Sequence, residues 1–234
     1  MISDVKKRRK LIGAAAAVLW ILFGITGVIR WIAGDGAYLA AEMAACAAPE
    51  ETGLPAEEYT GVGRMTADYL TGRGERFQYS YPDRNGNTIL GFHDYEEAHM
   101  ADCRGLIRLD TAVTAASGAA ALALTAWGLV RRREREAFCR GILLGLRILC
   151  GVILGLVIWA VIDFDGLFIT FHRAAFSNDG WLLNPRTDLL IRLMPEKFFI
   201  RLGIRGLIRA LAVPAGLAAA AGTGLRRING RDGK

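Results

Sequence analysis

Four long apolar stretches constrain the fold of this chain more than any other feature. Leu11–Ala33, Thr111–Val130 and Gly141–Ile162 each approach the ~20 residues that cross the hydrocarbon core of a bilayer. Gly206–Leu225 is rich in alanine and less apolar, but it is also long enough. Because lipid offers backbone groups no hydrogen-bond partners, such stretches cross it as helices. The sequence therefore predicts a mainly α polytopic membrane protein, a four-transmembrane-helix bundle. The predicted spans are about 11–33, 107–130, 141–162 and 203–224.

Basic residues gather in three short clusters next to these stretches. They are Lys6–Lys10, then Arg131, Arg132, Arg133, Arg135 and Arg140, and finally Arg226, Arg227, Arg231 and Lys234. If the chain crosses four times, all three clusters lie on one side, as the positive-inside rule requires. Both termini are then cytoplasmic, and the net charge of +6 reflects topology and predicts no nucleic-acid partner. The first stretch also resembles the core of a signal peptide, but it is long for one and we interpret it as a retained helix.

The predicted organisation is one membrane domain, 1–234, with two extracytoplasmic segments, 34–106 and 163–202. The first segment is predicted to form a small mixed α/β part. The first apolar helix is expected to continue through Tyr38–Ala48 until Pro49 ends it. The other expected elements are a helix at Pro55–Leu70 with Gly72 at its C-terminus, and strands at Arg76–Tyr81 and Thr88–Phe92. Asn85–Gly86 is a typical hairpin turn.

Two histidines are the strongest candidates for chemistry. A helix beginning at Asp94, with Glu97 completing a capping box, carries His99 and Asp102 on one face. His172 opens the polar run Phe171–Phe199, which lies between two apolar stretches and is too rich in special residues to be a simple connection. The third histidine, His93, is interpreted as a surface residue.

Arg201, Arg205 and Arg209 recur every four residues and form one stripe at the entry to the fourth span. Arginines at such a depth are costly unless they snorkel or pair. One interpretation is an amphipathic entry helix whose arginines reach phosphates or nearby acids. The other is a cationic wall that holds an anionic lipid or headgroup. The sequence leaves both open.

The four cysteines show no metal-type spacing. Cys46 and Cys103 both lie in the extracytoplasmic part, where a disulfide between them would be possible. No thiol has a neighbour in the sequence that marks it as a nucleophile.

The two histidine segments resemble the lipoprotein intramolecular transacylase (Lit) family. EEAHMADCRGL at Glu96–Leu106 is similar to the family's E-x-x-H-M-x-D-V-K pattern, with Cys103 and Arg104 in place of the usual valine and lysine. The later segment is similar to a long F-H…F…W-x-L-x-P-x-x-D…P-E-x-x-F pattern. Its matching residues are Phe171, His172, Phe176, Trp181, Leu183, Pro185, Asp188, Leu189, Ile191, Pro195, Glu196 and Phe199.

The resemblance implies that the chain is a membrane acyltransferase. It would move the sn-2 acyl chain of a diacylglyceryl-cysteine lipoprotein onto the α-amine of the same cysteine, giving the lyso form. Membrane lipids are further expected partners. Ester-to-amide transfer within one molecule needs proton carriers more than a covalent nucleophile. We expect no cofactor and no metal.

The expected catalytic pair is His99 and His172, at the extracytoplasmic face of the cell membrane. We favour His99 as the base, oriented by Asp102 or Glu96, and His172 as proton donor or oxyanion stabiliser, although the reverse assignment is nearly as good. Supporting residues are expected at Trp181 and Asp188. Substrate carbonyls or headgroups are expected to bind Arg173, Arg201 and Arg205.

Two other functions stay open from the sequence. One is a non-enzymatic membrane scaffold or small-solute carrier, which a separation of more than roughly 12 Å between His99 and His172 would favour. The other is a zinc enzyme using His93, His99, His172 and an acid, although His93 and His99 lack the i, i+4 spacing of a helical metal pair.

Overall fold

The computed structural model describes residues 2–83, 86–130 and 134–232. Its long helices are α1 at Ile2–Gly34, α5 at Asp94–Val130, α6 at Arg135–Ile162, and the successive α9 at Glu196–Ala210 and α10 at Ala212–Asp232. The shorter helices are α2 at Gly36–Cys46, α3 at Pro49–Thr52, α4 at Tyr59–Leu70 after a 3-10 turn at Ala56–Glu58, α7 at Phe164–Ala175 and α8 at Leu189–Leu193. The strands are β1 at Ser80–Pro82 and β2 at Thr88–Leu90.

Four helical segments of the described chain are long and apolar enough to cross a membrane. They are Asp4–Gly34, Asp94–Val130, Arg135–Ile162 and Glu196–Ile228, and each predicted span lies within one of them. Large apolar side chains on them are exposed: Val161 and Ile162 are 81% and 78% accessible. Such exposure suits contact with lipid and is unfavourable in water.

The chain divides into two compact units. The first contains Met1–Gly27, Ala112–Phe168 and Ile208–Lys234. The described residues at its centre are small alanines, together with Phe138, Cys139 and Ile142. Gly13 and Gly141 allow α1 and α6 to approach closely, because a Cβ on Gly141 would lie 2.1 Å from the carbonyl oxygen of Lys10. Small residues at a crossing are typical of helix packing in membranes.

The second unit contains Val28–Thr111 and Ile169–Leu207. Its core is formed by buried side chains of α2, α4, α8 and α9 and of the strand region, including Met43, Val62, Phe77, Leu193 and Phe198. Helices α2 and α4 pack closely. A Cβ on Gly63 would lie 2.5 Å from the carbonyl oxygen of Gly36.

The small sheet of the second unit is an antiparallel hairpin. Tyr81 pairs with Ile89 and Pro82 with Thr88, so both strands are shorter than predicted. Arg84 and Asn85 lie outside the described residues, so only Gly86 of the predicted turn is described, and it has a positive φ of 82°. Arg131–Arg133 and Lys234 of the basic clusters also lie outside the described residues.

Two local predictions need correction. Helix one does not continue unbroken to Ala48: it ends at Gly34, and Asp35 caps α2 by accepting a hydrogen bond from Tyr38 N at 2.9 Å. Helix α5 does begin at Asp94, but Glu97 is not its cap. Glu96 accepts the backbone N–H of His93 at 2.8 Å, while Glu97 pairs with Arg76.

Candidate active site

The first turn of α5 fixes the position of His99. Besides the His93 N–H, the Glu96 carboxylate accepts a hydrogen bond from the N–H of Leu190 at 2.8 Å, and Glu96 is completely buried. Both its oxygens therefore bind backbone groups, so Glu96 anchors the helix turn that precedes His99. Among the described residues, no hydrogen bond joins it to the imidazole.

His172 lies in the last turn of α7, whose end is fixed by a hydrogen bond from Phe176 N to the His172 carbonyl at 2.9 Å. His99 and His172 are 8% and 7% exposed. Their ring centroids lie 6.2 Å apart, with an angle of 31° between the planes. Two histidines that are 73 positions apart in the sequence thus lie side by side in the fold. The distance between their rings is well below the roughly 12 Å beyond which one ester could not contact both.

Two aromatic side chains hold the imidazoles. The Phe176 ring lies 5.1 Å from that of His99 and 5.5 Å from that of His172. The Trp181 ring lies 5.1 Å from that of His172. These rings restrict the orientation of both imidazoles and limit the access of water, which strengthens electrostatic interactions at the site.

The thiol of Cys103 lies beside His99. Its Sγ is 3.6 Å from His99 Nε2, a contact that the sequence reasoning did not identify. Cys103 and Cys46 are both free, and the possible disulfide between them is absent. The other ring nitrogen of His99, Nδ1, is buried and has no hydrogen-bond partner within the described part of the chain.

Asp102 stands one turn beyond His99 on α5, and its carboxylate accepts a hydrogen bond from Asn178 Nδ2 at 2.9 Å. Asn178 Oδ1 in turn accepts the N–H of Gly180. This pair ties the segment that carries Trp181 to α5. In the described residues Asp102 makes no hydrogen bond to His99.

Asp188 is buried and occupies the N-cap position of α8, although its side chain makes no hydrogen bond to that helix. Its carboxylate accepts hydrogen bonds from Tyr95 OH at 2.7 Å, Thr187 Oγ1 at 2.6 Å and Asn184 N at 2.7 Å. Burial opposes ionisation of Asp188, but these hydrogen bonds outweigh it, so the pKa of this carboxyl lies below its ordinary value of 3.8. Asp188 therefore organises the loop after Trp181 as an anion.

The predicted substrate-binding arginines differ in their surroundings. Arg201 Nε donates to Glu42 Oε2 at 2.7 Å, and Arg205 pairs with the other oxygen of the same carboxylate. Glu42 is 1% exposed. The shared partner of the two arginines is therefore a buried acid of α2, which the sequence reasoning did not consider. Arg173 is exposed on α7.

The residues of the described ranges contain no group of three or more His, Cys, Asp or Glu that could hold a metal ion. The zinc-enzyme alternative therefore finds no ligand set there. His93 is exposed, and its ring stacks on Tyr95 with centroids 5.2 Å apart.

The model of the family described as lipoprotein intramolecular transacylase Lit matches residues 14–199. The chain belongs to this family. It is accordingly an acyltransferase. The expectation from the two motifs that the chain belongs to this acyltransferase family is confirmed. Membership in Lit argues against the scaffold or carrier alternative.

Solved structures of Lit from Bacillus cereus show the same fold. One, determined in meso, has a TM-score of 0.73 at 17% identity and covers 97% of this chain and 99% of its own. Two structures of variants with one histidine replaced by arginine or alanine have TM-scores of 0.69, also at 17% identity, and cover 97% of this chain and 95% and 96% of their own. No curated protein sequence matches significantly. With four apolar helices, this fold makes the chain a multi-pass membrane protein.

Sequence reasoning missed three contributors to the site. Cys103 follows His99 by four residues, the spacing at which helical side chains meet, and that signal was readable. Phe176 was noted only as part of the Lit pattern. Asn178 had no signal, since its partner Asp102 lies 76 residues away.

Proposed function

We propose that this Lit protein transfers the sn-2 acyl chain of a diacylglyceryl-cysteine lipoprotein to the α-amine of that cysteine. The product is an N-acyl, S-monoacylglyceryl lipoprotein. The observation that carries the proposal is the pair of buried imidazoles, His99 and His172, 6.2 Å apart. One tetrahedral carbon between the rings would lie within reach of a nitrogen on each side.

The proposed reaction needs two proton transfers to form the product, a third from His99 back to His172 to restore the pair, and no other reagent. The amine nitrogen attacks the ester carbonyl and gives a proton to His99. The bond between the carbonyl carbon and the sn-2 oxygen breaks, and that oxygen takes a proton from His172. An imidazole, with an ordinary pKa of ~6.5, suits both roles near neutral pH.

Most of the acceleration in this proposal comes from geometry. Donor and acceptor belong to one molecule, and well-oriented intramolecular reactions reach effective concentrations of roughly 10⁵–10⁸ M. Each positioned acid or base adds roughly 10²–10⁴-fold. Phe176 and Trp181, which pack on the imidazoles, support this by shaping a site into which the reacting ester must fit.

Charged residues are proposed to hold the lipid part. Arg201 and Arg205 share one carboxylate, Glu42, so this group retains one positive charge for a carbonyl or an anionic headgroup. Exposed Arg173 is on the same helix as His172 and is proposed to do the same. The arginine stripe would then both pair with a nearby acid and bind an anionic lipid or headgroup, as the two interpretations from the sequence suggested separately.

The site is proposed to lie at the extracytoplasmic face of the cell membrane, with both termini in the cytoplasm. The distribution of basic residues supports this orientation. A C-terminal fusion to green fluorescent protein should fluoresce, and a C-terminal alkaline phosphatase fusion should be inactive. The opposite pair of results would reject the orientation.

The function is tested in bacterial cells that lack lipoprotein N-acylation. The wild-type chain should convert a host lipoprotein to the lyso form, seen by mass spectrometry of its N-terminal peptide. His99→Ala and His172→Ala should lower the yield by roughly 100-fold or more. His93→Ala, which removes the exposed histidine, is the matched control and should act as wild type. Normal lyso-form levels in either site variant would refute the proposed roles.

A further inference from the structure

The two ring nitrogens of His99 have different surroundings. Nε2 lies 3.6 Å from the sulfur of Cys103, a hydrogen-bond distance for an atom as large as sulfur. The contact is built into the helix, because side chains four residues apart lie on the same side of it. The partner of Nε2 is therefore supplied by its own helix α5.

Nδ1 of His99 is buried without a partner in the described part of the chain, and the residue is 8% exposed. Buried polar atoms are nearly always hydrogen-bonded, and an exception indicates strain or a role with a ligand. Glu96 and Asp102 do not supply the missing bond, since their carboxylates bind other groups.

We propose that Cys103 is a positioning residue for His99, and that Nδ1 is the nitrogen that receives the proton of the substrate's α-amine. A neutral imidazole carries one N–H. If Nε2–H donates to the Cys103 sulfur, the lone pair is on Nδ1, where a base needs it. The inference rests on the proposed function and deepens it by naming the reacting atom.

Sulfur suits this role for a base that must release its proton again. A carboxylate in the same place would stabilise the imidazolium strongly. A neutral thiol is a weak acceptor, so it selects the tautomer with little stabilisation of the charged ring. His99 then takes a proton as the amine attacks and gives it up when the product leaves.

Cys103→Val is the informative variant, because valine is only about one methyl group larger than cysteine and cannot accept a hydrogen bond. Cys103→Ser keeps an acceptor and is the conservative control. Valine is also the residue of the Lit pattern at this position, so the variant is expected to fold. The thiol contact is thus a property of this chain that can be removed by itself.

The tautomer of His99 is read by nitrogen NMR of the full-length protein, labelled with ¹⁵N-histidine in lipid nanodiscs. The chain has 3 histidines, so His99→Gln assigns the signal. We expect Nε2 protonated and Nδ1 unprotonated in the wild type and in Cys103→Ser, and a mixture of tautomers in Cys103→Val. Protonated Nδ1 in the wild type, or an unchanged signal in Cys103→Val, would overturn the proposal.

Kinetics with a synthetic diacylglyceryl-cysteine lipopeptide give a second readout. Losing one neutral hydrogen bond should lower kcat of Cys103→Val ~3- to 10-fold while KM changes less than about twofold. Cys103→Ser should stay near wild type. Wild-type kcat in Cys103→Val would contradict the proposal. If the wild type makes no lyso form, the proposed function fails, whereas the NMR result still decides whether Cys103 sets the tautomer.

Discussion

Glu96 and Leu190 join two distant parts of the second unit: the completely buried carboxylate accepts the backbone N–H of Leu190 at 2.8 Å. The same side chain caps α5 at His93. One acid therefore links the first turn of the helix that carries His99 to the first turn of α8. Glu96 belongs to the Lit pattern, and its contacts give it a physical role there as an anchor.

We expect Glu96→Gln to destabilise the protein by about 1–3 kcal/mol. The glutamine amide has only one oxygen, so its NH2 group would face one of the two backbone N–H groups that the carboxylate accepts. The measurement is thermal unfolding in detergent, followed by circular dichroism. Glu97→Gln is the control. Its partner Arg76 has a side chain 68% exposed, so the loss should stay below about 1 kcal/mol. Equal losses in the two variants would refute the anchoring role.

Asp188 predicts how stability depends on pH. The pKa of Asp188 is lowered in the folded protein. Its contribution to the free energy of unfolding is therefore complete above the unfolded pKa of 3.8, and it is lost as the pH falls through the lower folded pKa. The difference in Tm between the wild type and Asp188→Asn should be largest at neutral pH and shrink below pH 3.8. A difference that stays constant across this range would show that the ionised form is not the one stabilised.

The membrane spans could be predicted from the sequence because each is a continuous apolar run, which is a local property. The same holds for Gly72, whose positive φ of 83° follows α4 as expected. The strands were predicted too long, since the alternation of Phe77, Tyr79 and Tyr81 reflects burial against the core and only Tyr81 pairs in the sheet.

The candidate site was predictable in its two histidines and not in the contacts that hold them. Motif residues identify themselves by type and spacing. Partners such as Glu42 for Arg201, 159 residues apart, depend on how α2 and α9 pack, and nothing local encodes that. The cap of α5 is Glu96, one residue before the predicted Glu97. The sequence allowed either one, because Glu97 follows Asp94 by three residues and Glu96 follows His93 by three.

Glu42 predicts a stability effect at the arginine stripe. Its carboxylate is 1% exposed and pairs with Arg201 and Arg205, whose side chains are 38% and 44% exposed. Glu42→Gln removes the shared charge and should cost about 1–3 kcal/mol, less than a fully buried pair because water screens the arginines.

The single-arginine variant separates stability from substrate binding. Arg205→Gln leaves the Glu42–Arg201 pair and should unfold at a Tm closer to that of the wild type than Glu42→Gln does. If the stripe binds substrate, its KM for the diacyl lipopeptide should rise while kcat changes little. An unchanged KM would limit these arginines to a structural role.

The bond between Asn178 and Asp102 predicts an effect on activity with little effect on stability. Both residues lie near the surface, so the bond contributes little to folding, but it fixes the segment leading to Trp181, which packs on His172. Asn178→Ala should lower kcat/KM for the diacyl lipopeptide ~3- to 10-fold and leave Tm within about 2 °C. Asn178→Asp should be worse, because it faces the Asp102 carboxylate with a second one. Asp179→Ala changes an exposed residue of the same segment and is the control. If Asp179→Ala loses as much activity as Asn178→Ala, the segment is sensitive to substitution in general, and the bond to Asp102 has no special part in placing Trp181.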